Sequence, residues 1–156
     1  HTIWPEHCIW GSEGAAIYPA LMNEVKGWAR KHGKMFEVVS KGTNPLTEHF
    51  GAFRANIPLH DAPETQFNNN LEQRVQSYDK IYIAGEAKSH CVANTLKQLF
   101  DFENLFPKIV ILEDCMSNVA GFDTLADPIY EKARKLGAEF TTCHFYAKTL
   151  SRKVIF

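Results

Sequence analysis

The chain contains no CxxC pair, so the spacing of its cysteines gives no indication of a zinc ribbon. Its four cysteines, Cys8, Cys91, Cys115 and Cys143, are widely separated in a sequence of 156 residues. A disulfide framework is not expected either, because 45% of the residues are hydrophobic and can form an apolar core. We therefore expect free thiols and a cytoplasmic protein.

Several other classes of protein are excluded by what the sequence lacks. No apolar run approaches the length of a membrane span, and no basic region followed by an apolar core predicts a signal peptide. The net charge is -1 and no block of Lys or Arg stands out, so neither nucleic acid nor a membrane is expected as a partner. No phosphate loop and no Rossmann glycine pattern is present.

The hydrophobic patterns alternate between helix and strand, which predicts one α/β domain over residues 1–156. Asn69 or Asn70 is the expected cap of the second helix and Asp127 that of the last, while Gly33 should end the first. The predicted helices are 17–33, 69–78, one that begins at 91, and 127–137. The predicted strands are 35–40, 80–85, 108–114 and 138–143.

This order predicts a mostly parallel sheet covered by helices, a three-layer αβα architecture. The two runs KIYIAG and KIVILED are apolar without alternation, as expected for strands buried on both faces. In such sheets ligands bind at the carboxyl ends of the strands. Lys41, Cys91 and Asp114 each follow a predicted strand closely, so they are candidate site residues.

Cys91 lies at a predicted strand-to-helix turn, where backbone N–H groups and the helix dipole favour a thiolate. The same N–H groups could hold an oxyanion, although a free cysteine is more often a small buried core residue. Lys41 could support the thiolate or be an ordinary solvated lysine. His7 could bind a metal or pack in the core. Trp4 could stack on a flat ligand or pack in the core.

Five segments, taken in order, resemble the nicotinamidases of the isochorismatase-like cysteine hydrolase superfamily. They are WPEHC, GSEGAAIYPAL, VSKGTNPLTEHFGAF, IYIAGEAKSHCVANTL and VILEDCMSNVAGF. The resemblance covers about residues 2–143. It implies an isochorismatase-like hydrolase fold whose N-terminal part lies ahead of His1.

The resemblance also implies roles for individual residues. Cys91 matches the nucleophile and Lys41 the lysine of an Asp–Lys–Cys triad. A cis peptide between Glu86 and Ala87 would turn the N–H groups of Ala87 and Cys91 into an oxyanion hole. The positions implied to contact substrate are Trp4, Phe53 and Glu86. His7 matches a ligand of a divalent metal, zinc first, with manganese or iron as alternatives.

The implied reaction is deamidation of nicotinamide through a Cys91 thioester, hydrolysed with the help of water near the metal. The catalytic aspartate and the other metal ligands are expected upstream of His1. Two alternatives stay open: a superfamily amidohydrolase acting on a carbamoyl or ureido substrate, and a non-catalytic homologue that serves as a binding module. We expect a small-molecule amide as substrate and a homo-oligomer.

Overall fold

A computed structural model describes residues 4–145 of the chain. It divides into two compact units, His1–Val39 and Ser40–Phe156, and each is described by itself. No helix among the described residues is long and apolar enough to cross a membrane.

The main element of the first unit is helix α1, Pro19–His32. Pro19 occupies the first helical position, where its missing N–H costs no intrahelical hydrogen bond. The helix ends at Gly33, which adopts the left-handed conformation (φ 60°) that glycine tolerates without strain. This end confirms the prediction made from the sequence.

The second unit is built on a parallel sheet of three strands in the order β1, β2, β3. Strand β1 is Ile81–Ile83, β2 is Ile109–Leu112 and β3 is Glu139–Thr141. Ile81 pairs with Ile109, and Leu112 pairs with Thr141. The central strand β2 is buried on both faces, as predicted. Strand β1 is not: Tyr82 on one face is 43% exposed, and Ile81 and Ile83 on the other face are half-buried.

Three α-helices accompany this sheet: α2 (Asn69–Gln76), α3 (Ala93–Gln98) and α4 (Asp127–Lys135). The predicted caps of α2 and α4 are wrong by one or two residues. The cap of α2 is Asn68, whose side-chain oxygen accepts from the N–H of Leu71 at 3.0 Å. The cap of α4 is Ala126, and Asp127 is already helical, where its negative charge faces the positive end of the helix dipole.

The predicted strand 35–40 is not formed among the described residues. Its apolar side chains are exposed, Met35 by 88% and Val38 by 68%. A strand needs a neighbouring strand that pairs its backbone N–H and C=O groups. An apolar β-branched run predicts the tendency to form a strand, but the partner decides whether it forms.

The hydrophobic core of the second unit lies between the sheet and the helices α3 and α4. Burying one large apolar side chain contributes about 1.5–3 kcal/mol to the free energy of unfolding. The largest fully buried apolar side chains of this core are Phe106, Leu96, Leu99, Leu105, Ile109 and Ile111. Helix α3 is thus anchored by its apolar face, and the turn that precedes it is held at the carboxyl end of β1.

Candidate active site

Lys41 and Cys91 meet in the second unit although 50 residues separate them in the sequence. The Nζ atom of Lys41 lies 3.6 Å from Sγ of Cys91, within hydrogen-bonding distance of a sulfur atom. The same Nζ atom donates to the carbonyl oxygen of His49 at 2.8 Å. Lys41 is exposed and Cys91 half-buried, so the thiol is accessible and has a cation beside it.

Cys91 does not begin helix α3 but lies in a π-helical turn, Lys88–Val92, that runs directly into it. The turn is capped by Ala87, whose carbonyl accepts from the N–H groups of His90 and Val92, each at 3.1 Å. The peptide bond between Glu86 and Ala87 is cis, as the resemblance implies. The thiol therefore stands in the first turn of a continuous helical segment, close to its N-terminal end.

The loop after β2 holds this turn in place. Gly85 N–H donates to the Cys115 carbonyl at 3.1 Å, and Lys88 N–H donates to the Ser117 carbonyl at 2.7 Å. The carboxylate of Glu86 accepts from the hydroxyl of Ser117 at 2.9 Å and from its N–H at 3.3 Å. Glu86, predicted to contact substrate, is thus engaged in joining two loops.

Helix α4 adds a further anchor for the same turn. The hydroxyl of Tyr130 donates to the Lys88 carbonyl at 2.9 Å. Burial raises the pKa of Tyr130, so the hydroxyl stays a donor at every physiological pH.

Two polar side chains of α3 attach the loop that carries His49. The hydroxyl of Thr95 accepts from Ala52 N–H at 3.1 Å and donates to the Cys91 carbonyl at 2.8 Å. Gln98 Oε1 accepts from the N–H of Phe53 at 3.0 Å, and its Nε2 donates to the Arg54 carbonyl at 2.8 Å. These bonds place residues 49–54 beside the nucleophile, which brings the carbonyl that orients Lys41 into position.

His49 supports Lys41 through its backbone, while its imidazole faces inward. The Nε2 atom is buried and has no hydrogen-bond partner among the described residues. Burial, and to a smaller extent the positive charge of Lys41, lower the pKa of His49. Both effects favour the neutral form of the imidazole.

The remaining predicted site residues are Phe53, Trp4 and His7, and each is described within its own unit. Phe53 is 3% exposed and stacks on Phe67 with ring centroids 5.6 Å apart, a position that favours packing over substrate contact. Trp4 and His7 belong to the first unit. The Nδ1 atom of His7 is 2.8 Å from the Pro5 carbonyl, which leaves Nε2 directed away from that bond.

One group among residues 4–145 has the donors and the spacing to hold a metal ion, and it does not include His7. Asp114, Cys115 and Cys143 place their ligand atoms within 4.8 Å of one another. The hydrogen bond from the Cys143 thiol, at 3.0 Å, lowers the pKa of Asp114 and raises that of Cys143 to about 11. Neither group is buried, so this pair contributes little to stability.

Their positions after predicted strands indicated Lys41 and Cys91 as candidates, and the resemblance implied the cis peptide. Neither indicated the residues that support them. Ser117, Thr95 and Gln98 bond to residues 31 to 45 positions away along the chain and belong to no local motif. The sequence contained one signal for such support: the strand-to-helix turn before Cys91 has backbone groups that need hydrogen-bond partners. His49 was missed because it contributes a backbone carbonyl, which any residue carries.

Comparison with known proteins finds similarity to nicotinamidases. No family model matches the chain. The nicotinamidase of Escherichia coli strain K12 is 32% identical over 96 residues, which cover 61% of this chain and 38% of that protein. The chain thus spans well under half the length of that relative.

The fold is similar to that of solved nicotinamidases. The yeast nicotinamidase superposes with a TM-score of 0.62 at 20% identity, covering 88% of this chain and 57% of that one. A pyrazinamidase of Pyrococcus horikoshii, solved in complex with zinc, gives 0.53 at 16% identity, covering 90% and 63%. These likenesses confirm the predicted α/β fold, which the chain shares with solved nicotinamidases, and the resemblance to nicotinamidases.

Proposed function

We propose that this chain supplies the nucleophile and the assisting lysine of an amidohydrolase that converts nicotinamide into nicotinate and ammonia. The observation that carries the proposal is the distance of 3.6 Å between Lys41 Nζ and Cys91 Sγ. An ammonium group at this distance favours the thiolate, which is the reactive form of cysteine. The likeness to the Escherichia coli nicotinamidase supports nicotinamide as the substrate.

In the proposed reaction the Cys91 thiolate attacks the carboxamide carbon and forms a C–S bond. The carbonyl π electrons move to oxygen, and the charge of Lys41 stabilises this oxyanion. Collapse of the tetrahedral intermediate breaks the C–N bond, and the protonated nitrogen leaves as ammonia. Water then adds to the thioester, and breaking the C–S bond releases nicotinate and restores the thiolate.

We assign the oxyanion hole to the N–H groups of Ala87 and Cys91, which share the turn that holds the nucleophile. The leaving nitrogen also needs a proton. The hydrogen-bond partners of Lys41 among residues 4–145 are the Cys91 thiol and the His49 carbonyl, and neither is a carboxylate. The resemblance to the nicotinamidases implies an aspartate beside this lysine, and we propose that such an aspartate of the whole protein transfers the proton.

His7 fits the role of one metal ligand. Its Nδ1 atom is engaged by the Pro5 carbonyl, an arrangement that orients many metal-binding histidines and leaves Nε2 for the metal. We propose zinc, because the Pyrococcus pyrazinamidase was solved in complex with it. When bound, zinc supplies Lewis-acid chemistry that polarises an oxygen or activates a water molecule.

The remaining features of the proposal concern substrate and setting. Trp4 offers an aromatic face for a pyridine ring, and Glu86 lies one residue before the proposed oxyanion hole. Phe53 would act by supporting the loop that carries His49. We further propose that the protein works in the cytoplasm as a homo-oligomer and takes part in recycling pyridine nucleotides.

The test is to measure ammonia release from nicotinamide and from pyrazinamide by the longest natural polypeptide that contains this chain. We expect release with the wild type, none with Cys91→Ala, and wild-type release with the matched control Cys8→Ala. Retained activity in Cys91→Ala would refute the mechanism. No release by folded, zinc-loaded protein would refute nicotinamide as substrate and favour a carbamoyl or ureido amide, or a binding module.

A further inference from the structure

The residue before the nucleophile, His90, is held more firmly than the reaction described above requires. Its ring makes edge-to-face contacts with Phe50, at 5.7 Å between centroids, and with Phe122, at 5.0 Å. Its Nδ1 atom lies 2.9 Å from the hydroxyl oxygen of Ser89. Contacts on several sides fix both the position and the rotation of the imidazole.

Ser89 determines how the imidazole is oriented. It is 3% exposed, and its oxygen accepts from the N–H of Val119 at 3.0 Å. The same oxygen lies within hydrogen-bonding distance of Nδ1 of His90, so the buried hydroxyl links the Val119 backbone to the imidazole and fixes the rotation of the ring.

Phe50 connects this ring to the catalytic pair. It directly follows His49, whose carbonyl holds Lys41 Nζ at 2.8 Å. His90 directly precedes Cys91, and the Phe50–His90 contact therefore joins the two segments that carry the lysine and the thiol. The contact of Lys41 with Cys91, the bond of Lys41 to His49 and the Phe50–His90 ring contact thus link the same two segments. The 3.6 Å between Lys41 and Cys91 is therefore connected to the packing of the two rings.

We propose that His90, oriented by Ser89, is a positioning residue that sets the distance between Lys41 and Cys91. A role of His90 in catalysis rests on the proposed function, but the distance between Lys41 and Cys91 is defined without substrate. Losing the ring would let residues 49–50 move away from the turn and carry the carbonyl that orients Lys41 with them. His90 itself would then affect the reactivity of the thiol only through Lys41.

A double-mutant cycle on the longest natural polypeptide tests this coupling. The rate at which iodoacetamide alkylates Cys91 at pH 7 is measured by site-resolved mass spectrometry in wild type, Lys41→Ala, His90→Ala and the double variant. Labelling of Cys115 serves as the internal reference for general loosening. His60→Ala, which removes an exposed histidine, is the matched control. Circular dichroism confirms that each variant is folded.

We expect His90→Ala to slow alkylation of Cys91 about fivefold, as much as loss of an exposed ion pair would. In the Lys41→Ala background it should have no further effect, and labelling of Cys115 should not change. Ser89→Ala, a smaller change for use if His90→Ala does not fold, should act in the same direction. Wild-type rates in these variants, or equal factors with and without Lys41, would overturn the proposal.

Because alkylation needs no substrate, this result is independent of the proposed reaction. A coupled cycle in a protein that does not release ammonia would support the role of His90 and refute nicotinamide deamidation. Ammonia release together with an uncoupled cycle would support nicotinamide deamidation and refute the role of His90.

Discussion

Removing the charge of Lys41 should lower the reactivity of Cys91 toward alkylation at pH 7. Two unit charges 3.6 Å apart attract each other by about 1 kcal/mol in water. Because Lys41 is exposed, we take this value rather than the larger one for a buried pair. It corresponds to about a fivefold decrease in the alkylation rate, because a nearby positive charge favours negative charge on the attacking sulfur.

The assay compares Lys41→Met, Lys41→Arg and the matched control Lys97→Met, which removes an exposed lysine of α3. Iodoacetamide labelling of Cys91 is followed at low salt and at about 1 M salt, where the screening length falls to about 3 Å. We expect the fivefold effect in Lys41→Met alone, reduced in high salt, and a smaller change in Lys41→Arg. Equal rates in Lys41→Met and wild type would refute the electrostatic role of Lys41.

Three further predictions concern the support of the site. In Gly51→Ala the methyl group would overlap the Gln98 amide, so urea unfolding should show a loss of about 1–3 kcal/mol, whereas Gly27→Ala, with open space around it, should not destabilise. Because the folded-state pKa of His49 is lowered, the unfolded state binds the proton first, and stability should fall as the pH drops below about 6.5. His49→Gln should flatten this dependence in melting curves recorded across that range. His7→Ala should lower zinc content in atomic absorption, and an unchanged content would remove His7 from the metal site.

Sequence reasoning succeeded where local chemistry decides the structure. An uninterrupted apolar run predicted the buried strand β2, and a glycine in the left-handed conformation ends α1 at the predicted residue. The order of motifs located Lys41 and Cys91, which the structure brings to 3.6 Å. In each case the residues involved are few, and the physical requirement acts over a short stretch of chain.

The rest of the structure depends on partners that are distant along the chain. Residues 35–40 have the composition of a strand, but a strand forms only where a second strand pairs its backbone groups. Phe53 stacks on Phe67, and Glu86 accepts from Ser117, 31 positions away. None of these partners can be identified from periodicity, because periodicity describes one element at a time. Contact of Phe53 and Glu86 with substrate stays a prediction.

The most direct test of Cys91 as a covalent nucleophile is the partition of its acyl group between water and hydroxylamine. Nicotinamide and methyl nicotinate are turned over by the longest natural polypeptide in the presence of hydroxylamine, and nicotinate and nicotinohydroxamate are quantified. A common thioester on Cys91 predicts the same product ratio from both substrates and neither enzymatic product with Cys91→Ala. Ratios that differ between amide and ester, or products that persist in Cys91→Ala, would contradict a thioester on Cys91.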